Sequence, residues 1–229
     1  MSMKELMALN DNEVLQLYEQ SFTVHLQLPG IESRQSLDAL LKKLGLKTHY
    51  YGACVGWDYR AQDCEGMNHL LIEQTADGAM KVRQGLSCGG IHHVTVTSAD
   101  SLEARAFVYE LVDVILHSWL EFSIICVDWT DIAYLLRGGT TAVLSTKQLR
   151  NVSDEEIATV MASALPKNRD KHDLVGAITV LRGRDLFLEA WSAVGSALET
   201  ILAQDQNALA TVLEDESNCT TLSTLWIYS

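Results

Sequence analysis

The sequence predicts an α+β protein in two parts. Short strands and helices over residues 1–98 predict a small α/β unit, and longer helices that alternate with strands over residues 99–229 predict a second domain. Of the 229 residues, 48% are hydrophobic and only 2 are Pro and 14 Gly, which is typical of a chain that buries a core. The boundary is placed where the spacing of apolar residues changes.

The first part takes its elements from apolar spacing and from residues that begin or end helices. Residues 22–28 alternate apolar and polar side chains, the period of a half-buried strand, and Pro29-Gly30 ends that strand. Adjacent strands in this part could pair as hairpins. The predicted elements are helices at 10–21 and 33–44 and strands at 22–28, 48–57, 68–74, 79–84 and 91–97.

The second part begins with a long helix over 101–120 that carries a wide apolar stripe. Ser153 and Glu156 have the spacing of a capping box at the start of a later helix. The acidic run Glu214-Asp215-Glu216 predicts a hairpin turn between the last two strands. The other predicted elements are strands at 142–149, 174–183, 207–213 and 221–228 and helices at 153–165 and 186–203.

Composition excludes several classes of partner. The chain has 17 Lys and Arg against 30 Asp and Glu, a net charge of −13, which repels phosphate backbones and argues against a nucleic-acid partner. Charged residues interrupt the amino terminus where a secretion signal needs an apolar core. In the most apolar stretch, 107–127, the polar residues Glu110, Asp113, His117 and Glu121 argue against a membrane span.

The cysteines and histidines predict no metal or disulfide framework. Five cysteines without a C-x-x-C pair suit free thiols in a reducing cytoplasm. His92 and His93 would point to opposite faces of their strand, so they cannot chelate one metal ion together. We therefore expect a cytoplasmic protein with no metal site.

Three short stretches carry a resemblance to a known family. They are Cys126-Val127-Asp128-Trp129-Thr130-Asp131 after the long helix, Gly176-Ala177-Ile178-Thr179-Val180-Leu181 in a strand, and Asp185-Leu186-Phe187-Leu188-Glu189-Ala190 at the next helix. Their order and spacing from about residue 100 to the end resemble the central helix and C-terminal domain of the tubulin/FtsZ family, most closely bacterial FtsZ, a protein of cell division. The resemblance implies a domain in which helices pack on a mixed sheet.

The nucleotide-binding motifs of that family are missing before residue 100. Glycine-rich phosphate loops cradle a nucleotide with backbone N–H groups. The nearest strings here are Ser87-Cys88-Gly89-Gly90, which lacks the remaining glycines, and Gly138-Gly139-Thr140-Thr141, which follows the aspartates. Fewer than 100 residues precede the central helix, short of a doubly wound nucleotide domain. No cofactor is predicted.

Asp128 and Asp131 are the candidate site residues. By resemblance, they match the loop whose carboxylates act on a nucleotide bound by the neighbouring subunit of a filament, and Cys126 and Trp129 would be interaction residues beside them. Cys126 replaces the family's Asn, which removes a polar contact. The alternative interpretation is structural, because Asp128 has the position of an N-cap and Asp131 lies in the first helical turn.

Four functions are compatible with these observations. The favoured hypothesis is a non-catalytic protein-interaction module, resembling a diverged FtsZ, that binds a tubulin/FtsZ-type filament, modulates its assembly or associates with itself. The alternative is a divergent GTPase-like enzyme with an unrecognised phosphate loop in residues 1–98. A protein that oligomerises through exposed sheet surface, and a small-ligand sensor whose C-terminal domain relays its state, are the other two. The missing phosphate loops favour the non-enzymatic hypotheses.

Overall fold

A computed structural model describes residues 22–50, 53–60, 68–76, 79–85, 91–99, 103–120, 127, 129–150, 152–167, 169–214 and 219–229. The chain divides into two units. The N-terminal unit is residues 1–77 with 81–92, and the C-terminal unit is residues 78–80 with 93–229. The predicted helix at 10–21 lies outside the described residues.

The strands of the N-terminal unit are ordered β2-β3-β1-β4-β5. Strand β1 pairs in parallel with both β3 and β4, so neither pair is a hairpin, whereas the consecutive strands β2 and β3 are antiparallel. Parallel strands need a crossover connection, and helix α1 between β1 and β3 supplies one. The elements are β1 (Phe22–Gln27), α1 (Arg34–Lys43), β2 (His49–Tyr50), β3 (Ala53–Gly56), β4 (Asn68–Gln74) and β5 (Met80–Gly85).

Helix α1 and the pair β2–β3 follow from local sequence signals. The Ser33 hydroxyl accepts a hydrogen bond from the Ser36 N–H at 3.2 Å and caps α1. The single strand predicted over 48–57 is instead two short strands, because His49 pairs antiparallel with Cys54 and Tyr50 with Ala53. The prediction of one continuous strand is therefore wrong for this stretch.

The C-terminal unit is built on a mixed sheet of strands ordered β6-β7-β10-β8-β9. Strands β6 and β7 are parallel, as are β8 and β9, whereas β10 is antiparallel to β7 and β8. The predicted α+β class, with helices on a mixed sheet, is confirmed. The elements are β6 (Ile91–Ser98), α2 (Ala104–Leu120), α3 (Trp129–Gly138), β7 (Thr141–Leu149), α4 (Asp154–Ala164), β8 (Leu174–Gly183), α5 (Leu188–Ile201), β9 (Asn207–Glu214) and β10 (Thr220–Tyr228).

The predicted hairpin between the last two strands is wrong. Strand β10 lies between β7 and β8, with Trp226 opposite Val143 on one side and Ala177 on the other. All residues of β10 from Leu222 to Tyr228 are buried. A strand buried on both faces belongs in the middle of a sheet, which explains why β10 inserts there instead of pairing at the edge with β9.

Helices cover the two faces of this sheet. On the face that we call the α4/α5 face, Trp226 and Leu181 belong to one apolar core with Met161 of α4 and Val194 of α5. On the α2/α3 face, α2 and α3 pack against β8, β9 and β10. Side chains alternate between the faces along each strand. Within the described residues, no helix has both the length and the apolar character required to cross a membrane.

Candidate functional site

The predicted aspartate loop leads into helix α3, which begins at Trp129. Cys126, Asp128 and the side chain of Trp129 lie outside what the structure describes, so their roles stay predictions. Asp131 is exposed in the first turn of α3, where the partial positive charge of the helix N-terminus stabilises a carboxylate. The structure thus places this predicted side chain on the surface.

One side of α3 is exposed along its length. Tyr134 follows Asp131 by three residues and is 67% exposed, and the exposed Arg137 follows after another three. The other side packs on the sheet through buried apolar residues, which are Ile132, Ala133, Leu135 and Leu136. The carboxylate, the aromatic ring and the guanidinium therefore share one surface of the C-terminal unit.

Gly176, in the Gly-Ala pair that carried part of the resemblance, sets how closely α3 approaches the sheet. A Cβ at Gly176 would overlap the Asn207 carbonyl oxygen and lie 2.6 Å from Leu135 Cδ2. Gly138 and Gly139 serve the same packing, since a Cβ at Gly139 would lie 2.8 Å from the Tyr228 carbonyl oxygen. These glycines make room for α3 and for the start of β7.

A groove of about 480 Å³ adjoins Tyr134 at the amino ends of β8 and β9. Arg137 provides a guanidinium along it, His172 an imidazole and Asp205 a carboxylate. The remaining lining residues are Gly138, Leu174, Val175, Gln206 and Asn207. The groove is therefore of mixed polarity and lies beside an exposed aromatic ring.

A second exposed apolar patch lies beyond the carboxyl end of β8. Phe187 is 66% exposed and Leu188 is 58% exposed, whereas Leu186 before them is buried. Helix α5 begins at Leu188, two residues later than the sequence predicts, because the extended Phe187 is its N-cap. Asp185 before it has φ of 54°, a left-handed conformation that turns the chain between strand and helix.

A cluster of charged and polar side chains is buried between α2 and the sheet. Glu110, Asp113 and His117 lie three and four residues apart, so they share one side of α2. Arg182 Nη2 of β8 donates a hydrogen bond to Asp113 Oδ1 at 2.8 Å. The Glu110 carboxylate accepts hydrogen bonds from Ser223 Oγ at 3.3 Å and from Thr146 Oγ1 at 3.4 Å, so the cluster spans three strands.

His117 Nδ1 lies 2.8 Å from Asp113 Oδ1 and 2.8 Å from Arg182 Nη2. Because one ring nitrogen carries either a proton or a lone pair, Nδ1 donates to the carboxylate or accepts from the guanidinium, and the tautomer decides which. Burial, followed by the neighbouring Asp113 charge, raises the pKa of Glu110 above its ordinary value, while Arg182 opposes the rise. The groups bind each other, which indicates a role in holding α2 on the sheet.

The interpretation from the sequence missed this cluster. The sequence analysis noted Glu110, Asp113 and His117 only as polar residues that interrupt an apolar stretch. Their spacing on one side of α2 could have indicated a buried polar stripe, but Arg182 lies 69 residues from Asp113 in sequence and Ser223 lies 113 from Glu110. No local sequence pattern identifies partners that lie so far apart in the chain.

The N-terminal unit has a polar groove of its own, of about 450 Å³, beyond the ends of β1, β3 and β4. Its carboxylates include Asp58, which pairs with Arg60 at 2.9 Å, and Glu73, which pairs with Arg83 at 2.8 Å. Across the described parts of the chain, no three His, Cys, Asp or Glu side chains are grouped to hold a metal ion.

Parts of the chain are similar to solved structures of known proteins. No protein-family model matches the chain, and no curated protein does. Among solved structures, an empty FtsZ dimer from M. jannaschii is similar over 54% of this chain and 37% of that chain, with 17% identity and a TM-score of 0.49. A mutant of M. jannaschii FtsZ is similar over 57% of this chain and 42% of that one, with 18% identity and a TM-score of 0.47.

A third similar structure is that of GDP-form protofilaments of TubZ from Bacillus thuringiensis serovar israelensis. It covers 54% of this chain and 36% of that chain, with 8% identity and a TM-score of 0.40. The chain thus spans about two fifths of the length of the FtsZ and TubZ chains that it matches. Each of these similarities therefore concerns part of this chain and less than half of the FtsZ or TubZ chain.

Proposed function

We propose that the C-terminal unit is a non-catalytic, cytoplasmic protein-interaction module that associates head to tail with further copies of itself. The observation that carries the proposal is the position of its exposed apolar residues. Tyr134 borders the groove at the amino end of β8, and Phe187 and Leu188 lie beyond the carboxyl end of the same strand. The ten residues of β8 separate these ends by about 33 Å.

Head-to-tail association covers both patches at every junction. In such a heterologous contact, one end of a subunit meets the opposite end of the next, and the contact repeats into rings or filaments. Both ends carry both signs of charge, so Arg137 at the groove can face Asp185 or Glu189 beside Phe187, and Asp205 of the groove can face Arg184. On the resemblance, Asp131, Cys126, Asp128 and Trp129 are proposed as further contact residues.

The non-catalytic part of the proposal is supported by the sequence, in which the glycine-rich phosphate loops are missing before residue 100. Asp131 would then contribute a contact surface, and its carboxylate would have no nucleotide to act on within its own chain. Hydrolysis of GTP by the purified protein above the rate in buffer would contradict this part and support the enzymatic alternative.

The test of association is sedimentation velocity of the full chain over a range of concentrations. We expect species larger than a monomer whose share grows with concentration, and we expect Tyr134→Ser and the pair Phe187→Ser with Leu188→Ser each to lower the mean mass. Val152→Ser is the control for loss of an exposed apolar side chain, because Val152 is 42% exposed and follows β7 rather than β8. A monomer at every concentration would contradict the proposal.

Mixing the two variants distinguishes head-to-tail from symmetric contact. The Tyr134 variant keeps an intact Phe187 end, and the Phe187/Leu188 variant keeps an intact groove end. A heterologous interface should therefore give dimers in the mixture, although neither variant associates by itself. A mixture that stays monomeric would contradict the head-to-tail arrangement.

A filament of FtsZ is the other partner that the sequence analysis favoured. Sub-stoichiometric protein added to polymerising FtsZ should leave the pelleted polymer unchanged if the partner is a second copy of this chain. Shorter or fewer FtsZ polymers, reversed by Tyr134→Ser, would assign the surface to such a filament.

A further inference from the structure

A cavity of about 380 Å³ lies on the α4/α5 face of the C-terminal sheet, where β6 ends. Thr97 of β6 and Val143, Ser145 and Lys147 of β7 line it from the sheet. The end of α4 and the segment after it line the opposite side with Ser163, Ala164, Leu165, Pro166, Lys167 and Arg169. None of these lining residues belongs to the proposed interface at the two ends of β8.

Ser145 carries a buried hydroxyl that faces this cavity without a partner. The residue is completely buried, and its Oγ makes no hydrogen bond within the described structure. Ser145 lies opposite Thr224, and Thr224 lies opposite Thr179, so three hydroxyls form a row across β7, β10 and β8. Thr179 Oγ1 donates to Thr224 Oγ1 at 3.2 Å, which leaves the hydroxyl on the cavity side as the unpartnered one.

An unpartnered buried hydroxyl is costly. Leaving such a group without a hydrogen bond costs roughly 1–3 kcal/mol, so native structures rarely keep one unless water or a ligand binds it. A cavity of this size beside the hydroxyl has room for a small molecule. The position of Ser145 therefore points to a group that approaches from the cavity.

The charge of the cavity wall indicates what that group is. Lys147, Lys167 and Arg169 line the cavity, and none of the described lining residues is acidic, in a chain whose net charge is −13. The Arg169 guanidinium lies over the Tyr228 ring, 5.6 Å from its centroid, a cation–π contact that holds it near the cavity. Burial raises the pKa of Tyr228 to about 12, so the phenol is neutral at physiological pH and adds no negative charge.

We propose that this cavity binds a small phosphate ester. A phosphate group has several strong acceptor oxygens and up to two negative charges, which match a donating Ser145 hydroxyl together with Lys147, Lys167 and Arg169. A single carboxylate has only two acceptor oxygens and one negative charge, so it would match fewer of these donors. The organic part of the ligand would lie over Val143, Ala164, Leu165 and Pro166.

Calorimetric titration of the full chain with inorganic phosphate, a nucleoside monophosphate and a sugar phosphate tests the proposal. We expect saturable binding of inorganic phosphate and tighter binding of one of the two esters, whose identity would show the organic part. Adenosine and glucose, which lack the phosphate, should not bind. No saturable binding of phosphate or of either ester at millimolar concentration would overturn the proposal.

Variants locate the binding. Ser145→Ala should weaken phosphate binding about tenfold, the value of one hydrogen bond to a charged group, and the pair Lys167→Gln with Arg169→Gln should weaken it further. Lys42→Gln, at an exposed position of α1, is the matched control for loss of a positive charge. Equal binding by wild type and by both cavity variants would overturn the assignment.

The unliganded variants show whether folding is affected. Because Ser145→Ala removes an unpartnered hydroxyl, the variant should unfold at the same or a higher temperature than wild type without ligand, yet gain less from added phosphate. Phosphorus NMR gives a second measurement: wild type should broaden the phosphate signal, and the double cationic variant should not. Broadening that is unchanged in that variant would contradict the site.

Discussion

The two faces of the C-terminal sheet bury polar groups in different ways. On the α2/α3 face, Asp113, His117 and Arg182 lie within 2.8 Å of one another, and Glu110 is bonded to Ser223 and Thr146. On the α4/α5 face, the polar groups of the cavity wall surround a space, and the Ser145 hydroxyl has no partner within the described structure.

This difference separates polar groups that hold the fold from polar groups that are available to a ligand. Charges that satisfy one another leave nothing for a substrate to bind, and removing one of them leaves its partner buried and uncompensated. A buried donor beside a cationic cavity has the opposite property, since its missing partner can come from outside the chain.

The largest expected effect is at Arg182. Arg182→Met removes the guanidinium from Asp113, whose side chain is only 11% exposed, and should lower the free energy of unfolding by about 3 kcal/mol. Arg150→Met, at an exposed position after β7, is the control and should change it by less than about 0.5 kcal/mol. Denaturant unfolding measures both. If Arg182→Met and wild type have equal free energies of unfolding, the cluster does not hold α2 on the sheet.

A smaller effect is expected from two glycines that lie on opposite faces. Gly176→Ala places a Cβ against the Asn207 carbonyl oxygen and Leu135 and should cost about 1–3 kcal/mol by overpacking. Gly195→Ala in α5 meets no atom within 4 Å and should stabilise the protein by about 0.5–1 kcal/mol through helix propensity. If α3 is packed against the Gly176 backbone, Gly176→Ala should lower the unfolding temperature and Gly195→Ala should raise it. Shifts of the same sign would contradict that packing.

The smallest effect depends on pH. Because the folded-state pKa of Glu110 is raised above the ordinary 4.5, its contribution to stability is fully present below pH 4.5 and is lost as pH rises through the folded pKa. Glu110→Gln cannot ionise, so its free energy of unfolding relative to wild type should increase with pH, within about 1 kcal/mol. Urea unfolding from pH 4 to 8 measures the difference. A difference that stays constant over this range would be inconsistent with the burial of Glu110 as a carboxylate.

Much of the fold could be predicted, because its elements depend on local patterns. The alternation at residues 22–28 and the run at 174–183 predicted β1 and β8 to within a residue, and Ser153 accepts the predicted hydrogen bond from the Glu156 N–H at 3.3 Å. Strand pairing could not be predicted in the same way. The parallel pairs of β1 and the insertion of β10 depend on which surfaces are buried together.

The same difference between local patterns and distant contacts applies to the candidate sites. Asp131 was found as a surface carboxylate at a helix start, since that position can be recognised from adjacent residues. Arg182 and Ser145 were not found, although both lie in predicted strands. Arg182 is important because it binds Asp113 on α2. Ser145 is important because it lines the cavity beside the end of α4.

The amino-acid sequence was sufficient for most of the described helices and strands, for the Ser153 cap and for the resemblance of the second part to a tubulin/FtsZ-type domain, because hydrogen bonding and side-chain periodicity within one element are local. Only the tertiary structure decided the strand order, the pairing of charges under α2 and the unpartnered state of Ser145. Each of these depends on groups that are distant in the chain and meet only when the apolar faces of the sheet and helices are buried together.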